Sequence, residues 1–212
     1  MSNSIFTQSV HAGERGPRPA GELAQDSGRP RLAVIPGEKV SSGRVQMIMQ
    51  GERWPLDMLA RALRPGRGES APFDLVVLDT APSIGGLQEL ALWAADLVIV
   101  PCQTTFLASE GAGQLVETLQ ALTGQGWAGR LLGVLPTFYD ESTKESKATL
   151  ADLQETLGLA LVLAPVHRAT ILADCAGLGK TIWEVDPQGR PAQEYAALMW
   201  TVLKAVGNGR AA

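Results

Sequence analysis

Two histidines and two cysteines are all that this 212-residue sequence holds. Cys102 and Cys175 lack the paired spacing of a zinc site or a disulfide framework, and they read as reduced thiols in a cytoplasmic protein. His11 and His167 stand too far apart in sequence to suggest a metal site and read as surface or hydrogen-bonded side chains. No apolar run approaches the ~20 residues of a membrane-spanning helix, and no signal-peptide pattern opens the chain. Basic residues form no run: residues 1–70 carry ten Lys/Arg against seven Asp/Glu, and residues 71–212 carry eight against fifteen, within a net charge of −4. An acidic body of this kind argues against a strongly basic nucleic-acid face, although local patches decide phosphate contact. Also absent is any match to G-x-x-x-x-G-K-[ST], the loop that wraps phosphates with backbone N–H groups at a helix N-terminus. Gly179-Lys180-Thr181 has the right ending. However, the position five before Gly179 is Asp174, a carboxylate where phosphates belong.

What is present is a core, with 45% hydrophobic residues, enough for one domain with a substantial interior. The most informative stretch is Phe73-Asp74-Leu75-Val76-Val77-Leu78-Asp79-Thr80-Ala81-Pro82-Ser83. Four apolar residues running into an aspartate fit a strand buried on both faces of a parallel sheet. A carboxylate at the end of such a strand sits at the rim where open α/β sheets bind ligands, and there it could support magnesium beside a nucleotide phosphate. The alternative is a strand that simply ends in a turn-forming Asp.

Periodicity organises the rest. Residues 1–30 are rich in Gly, Pro, Ser and Arg and read as a flexible tail; a second tail covers 209–212. Residues 32–35 read as a short buried strand and 54–63 as a helix. Strands are expected at 75–79, 97–100 (ended by Pro101), 131–135 and 159–163. Helices are expected at 84–94 with Ser83 as N-cap, 111–122, 144–157 and 192–206. This alternation implies a three-layer α/β fold, a mostly parallel sheet with helices on both faces.

Five blocks then carry a family resemblance: FDLVVLDTAPSIGG (73–86), ALWAADLVIVPCQTTFLASEG (91–111), LLGVLPTFYD (131–140), DCAGLGKTIWEVDP (174–187) and AQEYAALMWTVLKAV (192–206). In order and spacing they resemble the ParA/MinD group of P-loop ATPases, most closely the ParA-type plasmid and chromosome partition proteins. The resemblance implies a P-loop NTPase-like domain over 31–208, truncated at its N-terminal side because it begins in the middle of the family's domain. It also implies ATP and magnesium as cofactors. Asp79 matches the Walker B aspartate, which supports magnesium through water. Thr80, Ala81 and Pro82 match the segment after it, which moves with nucleotide state. Pro101 and Gln103 match the P-x-Q segment. Thr137 matches a polar position near the adenine base, and Pro165 lies where relatives line the base pocket. Arg190, Lys204 and Arg210 are the candidates for the non-specific DNA contact of ParA relatives, and a solvated helix face explains them equally well. Turn chemistry is likewise an alternative for the Pro and Thr positions.

The sequence departs from that family where phosphate is held. The Walker A lysine and threonine, the upstream lysine that reaches across the dimer and the water-orienting aspartate have no counterpart. Phosphoryl transfer depends on positioning and electrostatics, so the chain alone is expected not to hydrolyse ATP. Gly179-Lys180-Thr181 matches a late family segment instead of the phosphate loop. The functional expectations are a ParA-like partition protein, or a pseudo-ATPase scaffold that binds a true ParA-like subunit or a DNA-bound, ParB-like adaptor. A metabolic P-loop relative, such as a dethiobiotin- or cobyrinate-synthesising enzyme, is the third. A homodimer or a ParA-like partner chain is expected, with no membrane association. Trp183 is expected to be a packing residue.

Overall fold

The structure, a computed structural model, describes residues 19–37, 55–64, 71–80 and 86–209. The chain forms two compact units, residues 1–96 and 97–212.

In the first unit, α1 (Ala20–Leu23) leads into an antiparallel hairpin of β1 (Gln25–Arg29) and β2 (Leu32–Val34). Part of the stretch expected as a tail is therefore regular structure. The hairpin is turned at Pro30-Arg31, with Arg31 in the left-handed region at φ 60°. Strand β2 falls where a buried strand was expected, but Leu32 and Val34 are 49% and 47% exposed. Helices α2 (Met58–Leu63) and α3 (Gly86–Ala94) pack together, and Leu23, Met58, Leu59, Ala62, Leu90 and Ala91 form the core. The N-cap expected at Ser83 lies outside the described residues, as does Trp54.

The strand expected at 75–79 does not form. Residues 75–80 have no regular secondary structure, and Val77 is 81% exposed. Of this run, Leu78 packs against the unit's core. A continuous apolar run becomes a buried strand only if strands flank it, and the sequence pattern carries no information about whether they do. Among the described residues none pairs with this segment.

The second unit is built on a parallel pair, β3 (Leu97–Gln103) and β4 (Arg130–Thr137), joined through α4 (Phe106–Gly124). Val98, Val100 and Cys102 of β3 are buried, as are Val134 and Leu135 of β4. Strand β3 runs through Pro101 and does not stop there. In a two-stranded sheet, a residue lacking an N–H is tolerated where that group would face away from the ladder. Helix α4 lies on both strands with Val116, Leu119 and Leu122 buried, and it also packs on α5 (Lys144–Leu157). The expected strand at 159–163 is reduced to one parallel bridge: Val134 N–H donates to Leu161 O at 2.7 Å, and Leu163 N–H donates to Val134 O at 2.8 Å. Gly133 makes this approach possible, because a Cβ there would sit 2.8 Å from Leu161 O and 2.9 Å from Leu163 Cγ.

The chain ends in α6 (Ile171–Gly177), α7 (Ile182–Val185) and α8 (Arg190–Gly209), which share a small core of Cys175, Ile182 and Ala192. Trp183 is not a packing residue. Ile182 takes the buried position on the four-residue α7, and the next side chain, about 100° further round the helix, is 46% exposed. Among the described residues no helix is long and apolar enough to cross a membrane.

Candidate functional site

In the second unit, parallel strands end together at one rim, and three of the expected site residues meet there. Gln103 and Thr137 are register partners at the last positions of β3 and β4. Pro165 enters beside them on a strap stitched to β4: Val166 N–H donates to Pro136 O at 2.9 Å, Tyr139 N–H to Val166 O at 3.1 Å, and Arg168 N–H to Tyr139 O at 2.9 Å. Gln103 is exposed, whereas Thr137 and Pro165 are half-buried. The C-terminal edge of a parallel sheet is where α/β folds take ligands, since each strand there hands over to a loop.

A buried hydroxyl network fixes the rim from beneath. The Ser146 hydroxyl, near the start of α5, donates to Thr104 Oγ1 at 2.7 Å and accepts from Asp140 N–H at 3.0 Å. Thr104 in turn reaches the carbonyls of Thr137 at 3.4 Å and Phe138 at 3.3 Å through its hydroxyl, and Thr137 O again through its N–H at 3.1 Å. Both hydroxyl side chains are buried, so each of these bonds avoids the cost of a lone polar group in the interior. Sequence reasoning missed this pair: a Thr after a strand and a Ser in a first helical turn are ordinary turn and cap residues when read singly.

Glu194 of α8 closes the far side of the strap. Its carboxylate accepts from His167 N–H at 3.0 Å, meets His167 Nδ1 at 2.6 Å and lies 3.8 Å from Arg190 Nε. The His167 ring stands edge-on to Tyr139, with centroids 5.0 Å apart. Burial pushes the Cys102 thiol above its ordinary range, which suits a structural rather than a reactive cysteine.

The other candidates lie on other segments of the chain. Asp79 and Thr80 are exposed at the end of the irregular 71–80 segment in the first unit. Ala81, Pro82 and Arg210 lie outside the described residues. Arg190 is paired with Glu194, and Lys204 is exposed on α8. Gly179-Lys180-Thr181 forms the turn between α6 and α7, with Gly179 at φ 62°. There the Thr181 amide and hydroxyl both donate to the Glu184 carboxylate, at 2.7 and 2.8 Å. A phosphate would have to displace an anion that already holds those donors. Among the described residues no three His, Cys, Asp or Glu side chains converge as a metal site. Asp79 is exposed and belongs to no such cluster.

The α/β architecture with its parallel rim is that of a P-loop NTPase. A solved structure of apo McdA from Cyanothece superposes with a TM-score of 0.79 at 16% identity, over 95% of this chain and 79% of that one. Cobyrinic acid a,c-diamide synthase from Mycobacterium smegmatis, solved with an ATP analogue and magnesium, superposes with a TM-score of 0.61 at 28% identity, over 80% and 66%. A family model described as an AAA domain matches residues 17–127. The chromosome-partitioning ATPase Soj of Thermus thermophilus is 36% identical over 135 residues, which are 63% of this chain and 54% of Soj. The chromosome partitioning protein ParA of Myxococcus xanthus is 28% identical over 202 residues, 94% of this chain and 69% of that protein. The chain belongs to the ParA/MinD-type family of P-loop ATPases, and its match spans about half the length of Soj.

Proposed function

We propose that this chain is a ParA-like partition or cargo-positioning protein that holds the base end of a nucleotide and does not hydrolyse ATP alone. The convergence of Gln103, Thr137 and Pro165 on one rim, in a sequence without a phosphate loop, carries this reading. ATP and magnesium are the cofactors, with Asp79 supporting the metal through water and Thr80 and Pro82 following it as the nucleotide-sensitive segment. Without a lysine and threonine to neutralise and hold the phosphates, the remaining residues position a nucleotide but do little for the transferred charge. A second copy of the chain or a ParA-like chain is the partner, with a ParB-like adaptor on DNA as the cargo link. Arg190, Lys204 and Arg210 are the contacts to DNA of any sequence, and the setting is cytoplasmic. The names of the partition relatives support the role.

The absent loop equally favours a second reading, a scaffold that regulates a ParA-like subunit without binding nucleotide. A thermal melt with and without magnesium-ATP separates the two. Ligand at 100 times its dissociation constant adds about 2.7 kcal/mol and raises the midpoint visibly. A cooperative but unshifted transition overturns the nucleotide reading and leaves the scaffold.

A further inference from the structure

Phe138 combines two features that a folded chain ordinarily avoids. Its backbone is in the left-handed region at φ 53°, and its large apolar side chain is 55% exposed. Residues with a bulky Cβ substituent seldom adopt that conformation, and it persists only where surrounding bonds over-determine it. Here they do. On one side Thr104 pins the carbonyls of Thr137 and Phe138, and on the other Tyr139 N–H is tied to Val166 O. Held between two fixed neighbours, Phe138 is turned out of the strand path, immediately after Thr137 and beside the Pro165 strap. The bonds that fix it run through the backbone, so the arrangement leaves an aromatic face available at the ligand edge of the sheet.

We propose that Phe138 is the stacking platform for the nucleobase of the bound nucleotide, a residue of the rim that adds affinity for the base. This rests on the nucleotide-binding reading above. An aromatic face accepts any base by stacking, and the polar residues Thr137 and Gln103, register partners at the strand ends, precede it on the rim.

Calorimetric titration of the full chain with magnesium-ATP, and separately with inorganic tripolyphosphate and magnesium, tests the assignment. Wild-type protein is expected to bind ATP more tightly than tripolyphosphate. Phe138→Ala and Phe138→Leu should each weaken ATP binding about tenfold, within the range typical of base–aromatic stacking. Neither should alter tripolyphosphate binding, and Phe138→Trp should keep wild-type affinity for ATP. Phe138→Gly should lose ATP affinity while its melting temperature holds or rises, because glycine adopts the left-handed conformation without strain. Leucine restoring full affinity would assign Phe138 a packing role and overturn the proposal. Unchanged ATP affinity in Phe138→Ala would overturn it while leaving the nucleotide reading intact. Wild-type protein that binds no ATP at millimolar concentration would remove that reading and the proposal with it.

Discussion

Glu194 grips His167 at two points, accepting from its backbone N–H at 3.0 Å and meeting its ring Nδ1 at 2.6 Å, so one side chain of α8 fixes both the path and the ring orientation of the strap that carries Pro165. Both side chains are more than four-fifths buried, where hydrogen bonds to a charged group contribute about 1.5–3 kcal/mol. Glu194→Ala is expected to cost about 2–3 kcal/mol and Glu194→Gln, which keeps one acceptor oxygen, about 1 kcal/mol in urea unfolding. A loss under about 0.5 kcal/mol for the alanine variant would mean that the strap is held by its backbone bonds to β4 alone.

Tryptophan burial gives a direct contrast between surface and interior. Trp127, just after α4, is 4% exposed, whereas Trp183 is 46% exposed. Trp127→Ala is expected to cost about 3–5 kcal/mol, as for other buried aromatics, and Trp183→Ala less than about 1 kcal/mol, as for surface sites. Iodide quenching of single-tryptophan variants provides an independent check, with Trp183 accessible and Trp127 shielded.

The three long helices of the second unit were legible in the sequence because their signals are local, whereas the short α6 and α7 were not anticipated. The range 144–157 carries its own cap in Thr143, whose hydroxyl accepts from Ser146 N–H, and its own apolar stripe. Gln103, Thr137 and Pro165 were singled out by the family resemblance and not by any local signal, and the structure sets them at neighbouring strand and strap positions. The run from Leu75 to Leu78 misled, because an apolar stretch shows that a segment can use neighbours on both sides and says nothing about their presence. Trp183 failed differently, because a four-residue helix is too short for periodicity to choose its inner face. Phe138 and the Thr104–Ser146 bond were invisible because each depends on residues over thirty positions apart.

Asp140 should contribute to acid sensitivity. Its carboxylate accepts from the Ser142 hydroxyl at 2.6 Å and the Ser142 N–H at 2.9 Å. These two bonds, with smaller help from the charges of Arg168 and His167, hold the carboxyl below its ordinary value of 3.8. A group whose pKa falls on folding stabilises the native state above that ordinary value, and the contribution is lost as pH drops through the lowered one. Melting temperatures measured from pH 6 to 3 should therefore show wild-type protein ahead of Asp140→Asn at the upper end. The gap should close at the lower end, and a gap that widens on acidification would contradict the assignment.

Gly133 is where the fold commits the strap to its place. A Cβ at this position meets Leu161 O and the Leu163 side chain at distances that ordinary packing does not allow. One of these obstacles is backbone, so the added methyl can be accommodated only if the 161–163 bridge moves off β4. Gly133→Ala is expected to cost about 1–3 kcal/mol, the usual range for overpacking. It should also speed hydrogen exchange at Leu163, whose amide bonds to Val134 O, and at Val166, whose amide bonds to Pro136 O. Amides of α6 to α8 should keep their protection, because their small core of Cys175, Ile182 and Ala192 does not pass through Gly133. Exchange that rises uniformly across residues 97–209 would show instead that the bridge is part of the global fold, and that the strap has no separate stability for a ligand at the rim to exploit.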